Sequence, residues 1–283
     1  MLILKIPSAS GDRQIRVAAM GTCRVRGPLK ALAARGDIEL VAWQRGRTTT
    51  ALETLLYLDR VIDDVKMPSR LEALMGDDQL PDPANLRPFL REGVDVFLVE
   101  FATADEFHHG DTPLRERLIS SKLVRPHKGA LLEWYRQVCK LGAAENACVE
   151  STLGKLRDAG FPDDGMEDIL RGVRHRRFGV EDFIATLRVI IEKVGQRGVV
   201  VGPFTVAGEE GSQMSDRRAL LRDLRAAAER CDVLAYDPSR LVEDFGKEKA
   251  LAREGQAIYH YNDDFVPIVG RALVDEIRRA VAA

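Results

Sequence analysis

The sequence predicts an α/β fold whose central parallel sheet is covered by helices on both faces. Three observations predict it. The first 61 residues alternate short apolar strands with helical stretches, the pattern of strands joined by crossover helices. Two apolar runs, Val94–Phe101 and Gly198–Gly202, read as strong core strands. The chain then closes with one more strand, Asp232–Tyr236, and a helix with regular apolar spacing, Asp264–Val281.

Residues 1–6 read as an edge strand or an ordered arm before the turn at Pro7–Asp12. Ile15–Met20 is the first core strand. Arg24–Arg35 fits a helix with Leu29 and Leu32 on one side. Pro28 belongs in a first turn, which sets the expected start near Arg26 or Gly27 and makes Cys23–Arg26 a bend. Gly36-Asp37 ends this helix, Ile38–Trp43 is the second strand, and Ala51–Val61 the second helix, with Thr48–Thr50 as its cap. Residues 67–92 are turn-rich, with prolines at 68, 81, 83 and 88. Between the two strong strands, Ala130–Leu141 and Phe183–Val194 carry helical spacing. Residues 105–182 therefore read as a helical insertion or lid within a single domain spanning 1–283. Arg217–Arg230 is a basic helix buried along Leu220, Leu221 and Leu224, and Val266, Val269, Leu273 and Ile277 mark the terminal helix.

The 283 residues are 45% hydrophobic and 30% charged, with net charge -2. Such a composition is that of a globular protein and supplies no global basic field for nucleic acid. No apolar stretch is long enough to span a bilayer, and Met1–Ile6 is too short for a signal peptide. The four cysteines, at 23, 139, 148 and 231, show no C-x-x-C spacing, so reduced thiols and a cytoplasmic location are expected.

Cys23 is the most informative position. Gly21-Thr22-Cys23-Arg24 follows the first core strand and precedes a helix. Open α/β sheets keep their chemistry at this edge, and helix amides can lower a thiol pKa there. Gly21 permits a tight exit from the strand. The amides of Cys23 and Arg24 are candidate donors to an oxyanion, and the Arg24 and Arg26 charges would favour thiolate. His260, in Tyr259-His260-Tyr261-Asn262-Asp263-Asp264, is the matching base from the far end of the chain. Asp237 is a candidate partner for its other nitrogen, with Asp263 as the alternative. An inert core cysteine and a packed core histidine are the plain readings of the same residues.

This layout resembles the SGNH/GDSL hydrolase superfamily, whose nucleophile block follows the first strand and whose histidine precedes the last helix. Gly21-Thr22-Cys23 is most similar to the cysteine-bearing offshoots found among polysaccharide and capsule biosynthesis proteins. The resemblance implies a three-layer α/β/α fold with a parallel, flavodoxin-like central sheet and an enzyme acting on an ester or thioester. It implies Gly46 as an oxyanion glycine and leaves Thr103, in Glu100-Phe101-Ala102-Thr103, where the family carries an asparagine. Where the family has an aspartate three residues before its histidine, this chain has Ala257.

Other residues leave alternatives open. Asp105-Glu106-Phe107-His108-His109-Gly110-Asp111 holds potential metal ligands without a firm metal spacing; His108 is also a candidate substrate contact. Arg24, Arg26, Arg45 and Arg47 lie behind strand ends and suit a phosphate. The expected function is a cysteine-dependent acetyl or other acyl transferase or an esterase. Its substrate is a glycan or small ester, with no tightly bound cofactor and a coenzyme A thioester as acyl donor. The alternatives are a non-catalytic glycan- or nucleotide-binding protein and a metal-dependent enzyme using His108 and His109. Neither nucleic acid nor membrane is expected as a partner; residues 86–107 leave a homodimer open.

Overall fold

The computed structural model describes residues 1–43, 49–65, 71, 74, 86–161, 165–194, 197–254 and 257–282. The chain divides into two compact units. One comprises Met1–Asp64, Asp82–Ala104 and Gly179–Ala283; the other comprises Val65–Pro81 and Asp105–Phe178.

The first unit opens with β1 (Leu2–Pro7), β2 (Gln14–Met20), α1 (Cys23–Ala34), β3 (Glu39–Trp43), α2 (Ala51–Asp63), α3 (Arg87–Arg91) and β4 (Val96–Glu100). Helix α1 starts at Cys23, not near Arg26 as Pro28 suggested. Thr22 is the reason: its hydroxyl caps the helix by accepting from Arg24 N–H, so Pro28 falls inside the helix, where it removes one backbone hydrogen bond and crowds the preceding turn. Helix α2 is capped by Thr50, whose side chain accepts from Glu53 N–H.

The second unit has its own three-stranded sheet, β5 (Asp105–His109), β6 (Thr112–Leu114) and β7 (Val173–Arg177), in the order β6-β5-β7 and antiparallel throughout. Its helices include α4 (Lys128–Leu141), α5 (Asn146–Asp158) and α6 (Met166–Gly172). Trp134 is fully buried there and donates from Nε1 to Leu170 O at 3.0 Å. Asp105–Asp111, singled out in the sequence for its potential metal ligands, contains the strand β5. Pairing with β7 makes it one, setting Asp105 opposite Arg177 and Phe107 opposite His175.

The first unit resumes with α7 (Val180–Val194), β8 (Gly198–Val201), α8 (Ser212–Arg230), β9 (Leu234–Tyr236), α9 (Ser239–Phe245), α10 (Lys247–Ala250), the hairpin β10 (Leu251–Glu254) and β11 (Ala257–Tyr261), and α11 (Val266–Ala282). Its main sheet runs β3-β1-β2-β4-β8-β9. The sheet is mixed, which corrects the expected parallel one. β1 is antiparallel to both β2 and β3, while β2, β4, β8 and β9 pair in parallel. Residues 1–6 are thus an inner strand, not an edge or an arm. Leu2, Ile3, Leu4 and Ile6 are all buried, and a tight turn, with Ser8 N–H donating to Arg13 O at 2.9 Å, folds β1 back on β2.

The core of this unit joins β1, β2, β4 and β8 to α1 and α11. Leu86, Leu90 and Phe101, from the segment left open for a dimer contact, are buried within the chain. Helices α1 and α11 approach closely at Gly270, where an added Cβ would sit 2.8 Å from Pro28 O and 2.9 Å from Leu32 Cγ. The backbone oxygen cannot swing aside as a side chain could. Gly270→Ala is therefore expected to cost about 1–3 kcal/mol, read as a lower urea midpoint at unchanged slope.

Candidate active site

Parallel register brings three chain segments to one end of the main sheet. Met20 lies opposite Val99, and Glu100 opposite Val201. Gly21-Thr22-Cys23, Glu100 and Gly202-Pro203-Phe204 therefore leave the sheet at its C-terminal edge, where such folds bind ligands.

Cys23 is the first residue of α1 and is half-buried. Its Sγ lies 3.1 Å from Nδ1 of His260, although 237 positions separate them in sequence. His260 sits on β11 opposite Ala252. Neighbouring Tyr261 anchors it: that ring is buried and lies 5.8 Å from Phe204 and 5.4 Å from Phe265, centroid to centroid. Burial pushes the Tyr261 hydroxyl well above the ordinary phenol range, so it is a neutral neighbour. At the base of the hairpin, Asn262 N–H and Nδ2 donate to Ala250 O and Lys249 O, each at 2.9 Å.

Glu100 is the residue that sequence reasoning passed over. It is buried to 1% exposure. Its Oε2 accepts from Thr22 N–H at 2.8 Å and from Thr22 Oγ1 at 2.6 Å. Its Oε1 lies 2.7 Å from the Arg24 guanidinium, which also faces the Phe204 ring at 5.6 Å. Burial pulls the Arg24 pKa down, but the facing Glu100 carboxylate and its hydrogen bond do most to outweigh it, and the net direction is up. A signal was present in the sequence: Val96-Phe97-Leu98-Val99-Glu100 ends an apolar strand with a carboxylate at the sheet edge.

The structure redistributes the expected roles. The Arg24 guanidinium is paired with Glu100 rather than presented to a phosphate. The Arg24 amide, expected as an oxyanion donor, caps onto Thr22 Oγ1 at 3.2 Å. Cys23 N–H stands in the first turn of α1. Asp237, expected as the acid, is committed elsewhere: Oδ1 accepts from Ser239 N–H at 2.9 Å and Ser239 Oγ at 2.5 Å, and Oδ2 pairs with Arg225 at 2.6 Å. It secures the start of α9, a role short carboxylates take readily. Asp263 is exposed. Arg26 lies on α1, where its charge bears on Tyr57. Thr103 is half-buried just past Ala102, whose N–H donates to Thr49 O at 2.8 Å. Gly46, Arg45 and Arg47 lie outside the described residues.

His108 and His109 belong to the second unit. His108 Nδ1 is 2.9 Å from Gly110 O, and His109 Nε2 is 3.1 Å from Asp168 O. Among the described residues, no group of three or more His, Cys, Asp or Glu is placed to hold a metal ion. None of the helices described is long and apolar enough to cross a membrane.

The sequence matches the family described as the TviD N-terminal domain over residues 15–276. The chain belongs to this family. The family match takes in both Cys23 and His260 and nearly every element of both units. No curated protein matches the sequence. Two solved structures of variants of Axe2, an acetyl-xylooligosaccharide esterase from Geobacillus Stearmophilus, are similar at low level. One is 11% identical with a TM-score of 0.36, covering 92% of this chain and 93% of its own. The other is 10% identical with a TM-score of 0.35, covering 94% of each chain. Likeness at this level says nothing of substrate or chemistry.

The pair of Cys23 and His260 at a helix N-terminus has the elements of a thiol nucleophile with its base. Gly21 makes the arrangement sterically feasible. Its φ is +148°, and an added Cβ would lie 2.7 Å from Glu100 Cβ. Gly21→Ala is expected to lose about 1–3 kcal/mol of stability, measured as a fall in Tm.

Proposed function

We propose that the chain is a cysteine-dependent acyl transferase or esterase, with Cys23 as nucleophile and His260 as base. The 3.1 Å contact between Cys23 Sγ and His260 Nδ1 carries this reading. In the first half-reaction Nδ1 takes the thiol proton while Sγ attacks the acyl carbonyl carbon. The carbonyl electron pair moves onto oxygen, for which the Cys23 N–H is a candidate donor. Collapse of the adduct breaks the bond to the leaving alkoxide or thiolate, which departs with the proton held by His260. The acyl group stays on Sγ as a thioester.

In the second half-reaction His260 removes a proton from the acceptor hydroxyl. The acceptor oxygen attacks the thioester, and Sγ leaves and regains the proton. Water as acceptor makes the enzyme an esterase; a sugar hydroxyl makes it a transferase. A coenzyme A thioester suits the donor role, and no tightly bound cofactor is required. Gly46 and Thr103 are further candidate oxyanion donors. Arg26, Arg45 and Arg47 are candidate contacts for a donor phosphate, whereas Arg24 acts through its pairing with Glu100. A carbohydrate acceptor is proposed because Gly21-Thr22-Cys23 is similar to the cysteine-bearing offshoots of the SGNH superfamily.

Intact-protein mass spectrometry after incubation with acetyl-CoA, and separately with an activated acetate ester, tests the assignment. One acetyl group is expected on wild type and none on Cys23→Ala. Product assayed in the same tubes is expected to fall by about 10²–10⁴-fold in His260→Ala. Equal product from wild type and Cys23→Ala would remove the thiol from the mechanism.

A further inference from the structure

The geometry points to Glu100 as the positioning residue of the Cys23 site, its carboxylate fixing the first turn of α1 and so the aim of the thiol at His260. The inference rests on the Cys23–His260 reading and deepens it.

Each neighbour of Cys23 in the Gly21–Arg24 block meets this one carboxylate. Gly21 makes room for it, since a Cβ there would lie 3.0 Å from Oε2 and 2.7 Å from Cβ of Glu100. Thr22 gives it two donors, the backbone N–H and Oγ1. Arg24 gives it a charge at 2.7 Å. The Thr22 hydroxyl then accepts from Arg24 N–H at 3.2 Å, which closes the helix cap over the cysteine. Glu100 itself is held rigidly, as the last residue of a strand hydrogen-bonded on both sides.

The carboxylate also sets the charge around the thiol. Arg24, on the same helix, is coupled to Cys23, to Glu100 on β4 and to Tyr261 on the hairpin, and His260 meets Sγ directly; Arg217 of α8 lies beyond, 5.2 Å from the Phe204 ring. Glu100 neutralises Arg24. Without that charge an unpaired guanidinium would stand beside Sγ and favour thiolate, while the first turn would lose its anchor. Thiol ionisation and productive aim would then change in opposite senses, which a purely structural role would not produce.

Glu100→Gln separates the two effects. Cys23 alkylation by iodoacetamide is followed by mass spectrometry across pH, and p-nitrophenyl acetate hydrolysis gives kcat and KM. The alkylation midpoint is expected to move to lower pH by about one pH unit. The expected kcat falls by about tenfold or more, with KM nearly unchanged. A wild-type midpoint together with a wild-type kcat would overturn the assignment.

If Glu100→Gln does not fold, Thr22→Val and Thr22→Ser take its place. Thr22→Val removes the hydroxyl link but leaves the ion pair, and kcat is expected to fall severalfold and to return in Thr22→Ser. Full activity in Thr22→Val would overturn the role. Alkylation needs no acyl chemistry. A wild type that forms no acyl-Cys23, beside a Glu100→Gln that still shifts the midpoint, would sink the acyl-transfer reading and leave the positioning role standing.

Discussion

Burying a carboxylate is expensive unless charge and donors go in with it, and this chain buries one at the end of its most apolar strand. Glu100 obtains its charge partner from Arg24, its donors from Thr22 and its space from Gly21. The result is a short segment in which three of four residues are committed to that carboxylate. Cys23 is the one that is not, and its thiol points to a histidine instead. Much of the local sequence of α1 thus answers to an interaction with a strand 78 positions away.

That interaction also changes how the arginines read. In sequence, Arg24 and Arg26 stand for positive potential beside a thiol. In the fold, Arg24 is nearly neutralised by its partner, so the thiol faces the helix N-terminus and His260 more than it faces a cation. In the proposed reaction the proton of the thiol then goes to the imidazole beside it. The same economy holds at Asp237, whose carboxylate is spent on Ser239 and Arg225 at the entry to α9.

The parts of the fold legible in the sequence are those set by local apolar pattern. The strand Ile15–Met20, the strand before Glu100 and the terminal helix are apparent from residue spacing alone, and with them the placing of Cys23 and His260 near helix ends. Long-range partner choice was not legible. Met1–Ile6 has the same apolar look whether it lies at an edge or inside, and only its turn back onto β2 decides. Asp105–His109 is polar enough to pass for a loop, and pairing with the arginine-rich Val173–Arg177 makes it a strand. Asp237 carried its own local signal, Asp-Pro-Ser, which favours a capping turn over a catalytic contact. Glu100 showed its location but not its partners.

His260 rides on a hairpin that is hydrogen-bonded apart from the six-stranded sheet. Cys23 is set by the sheet and α1, while His260 is set by an aromatic cluster of Phe204, Tyr261, Phe265 and Phe245. Contacts of this kind contribute about 0.5–1.5 kcal/mol each, and Phe204, Tyr261 and Phe265 tie the hairpin into the core of the sheet. A hairpin without backbone pairing to the main sheet is nonetheless where opening short of global unfolding is expected. Heat would then part the two halves of the pair while the sheet still gives a native circular dichroism signal. Hydrogen exchange at the amides of residues 257–261 would report the working limit of the site, where a global melt would overstate it.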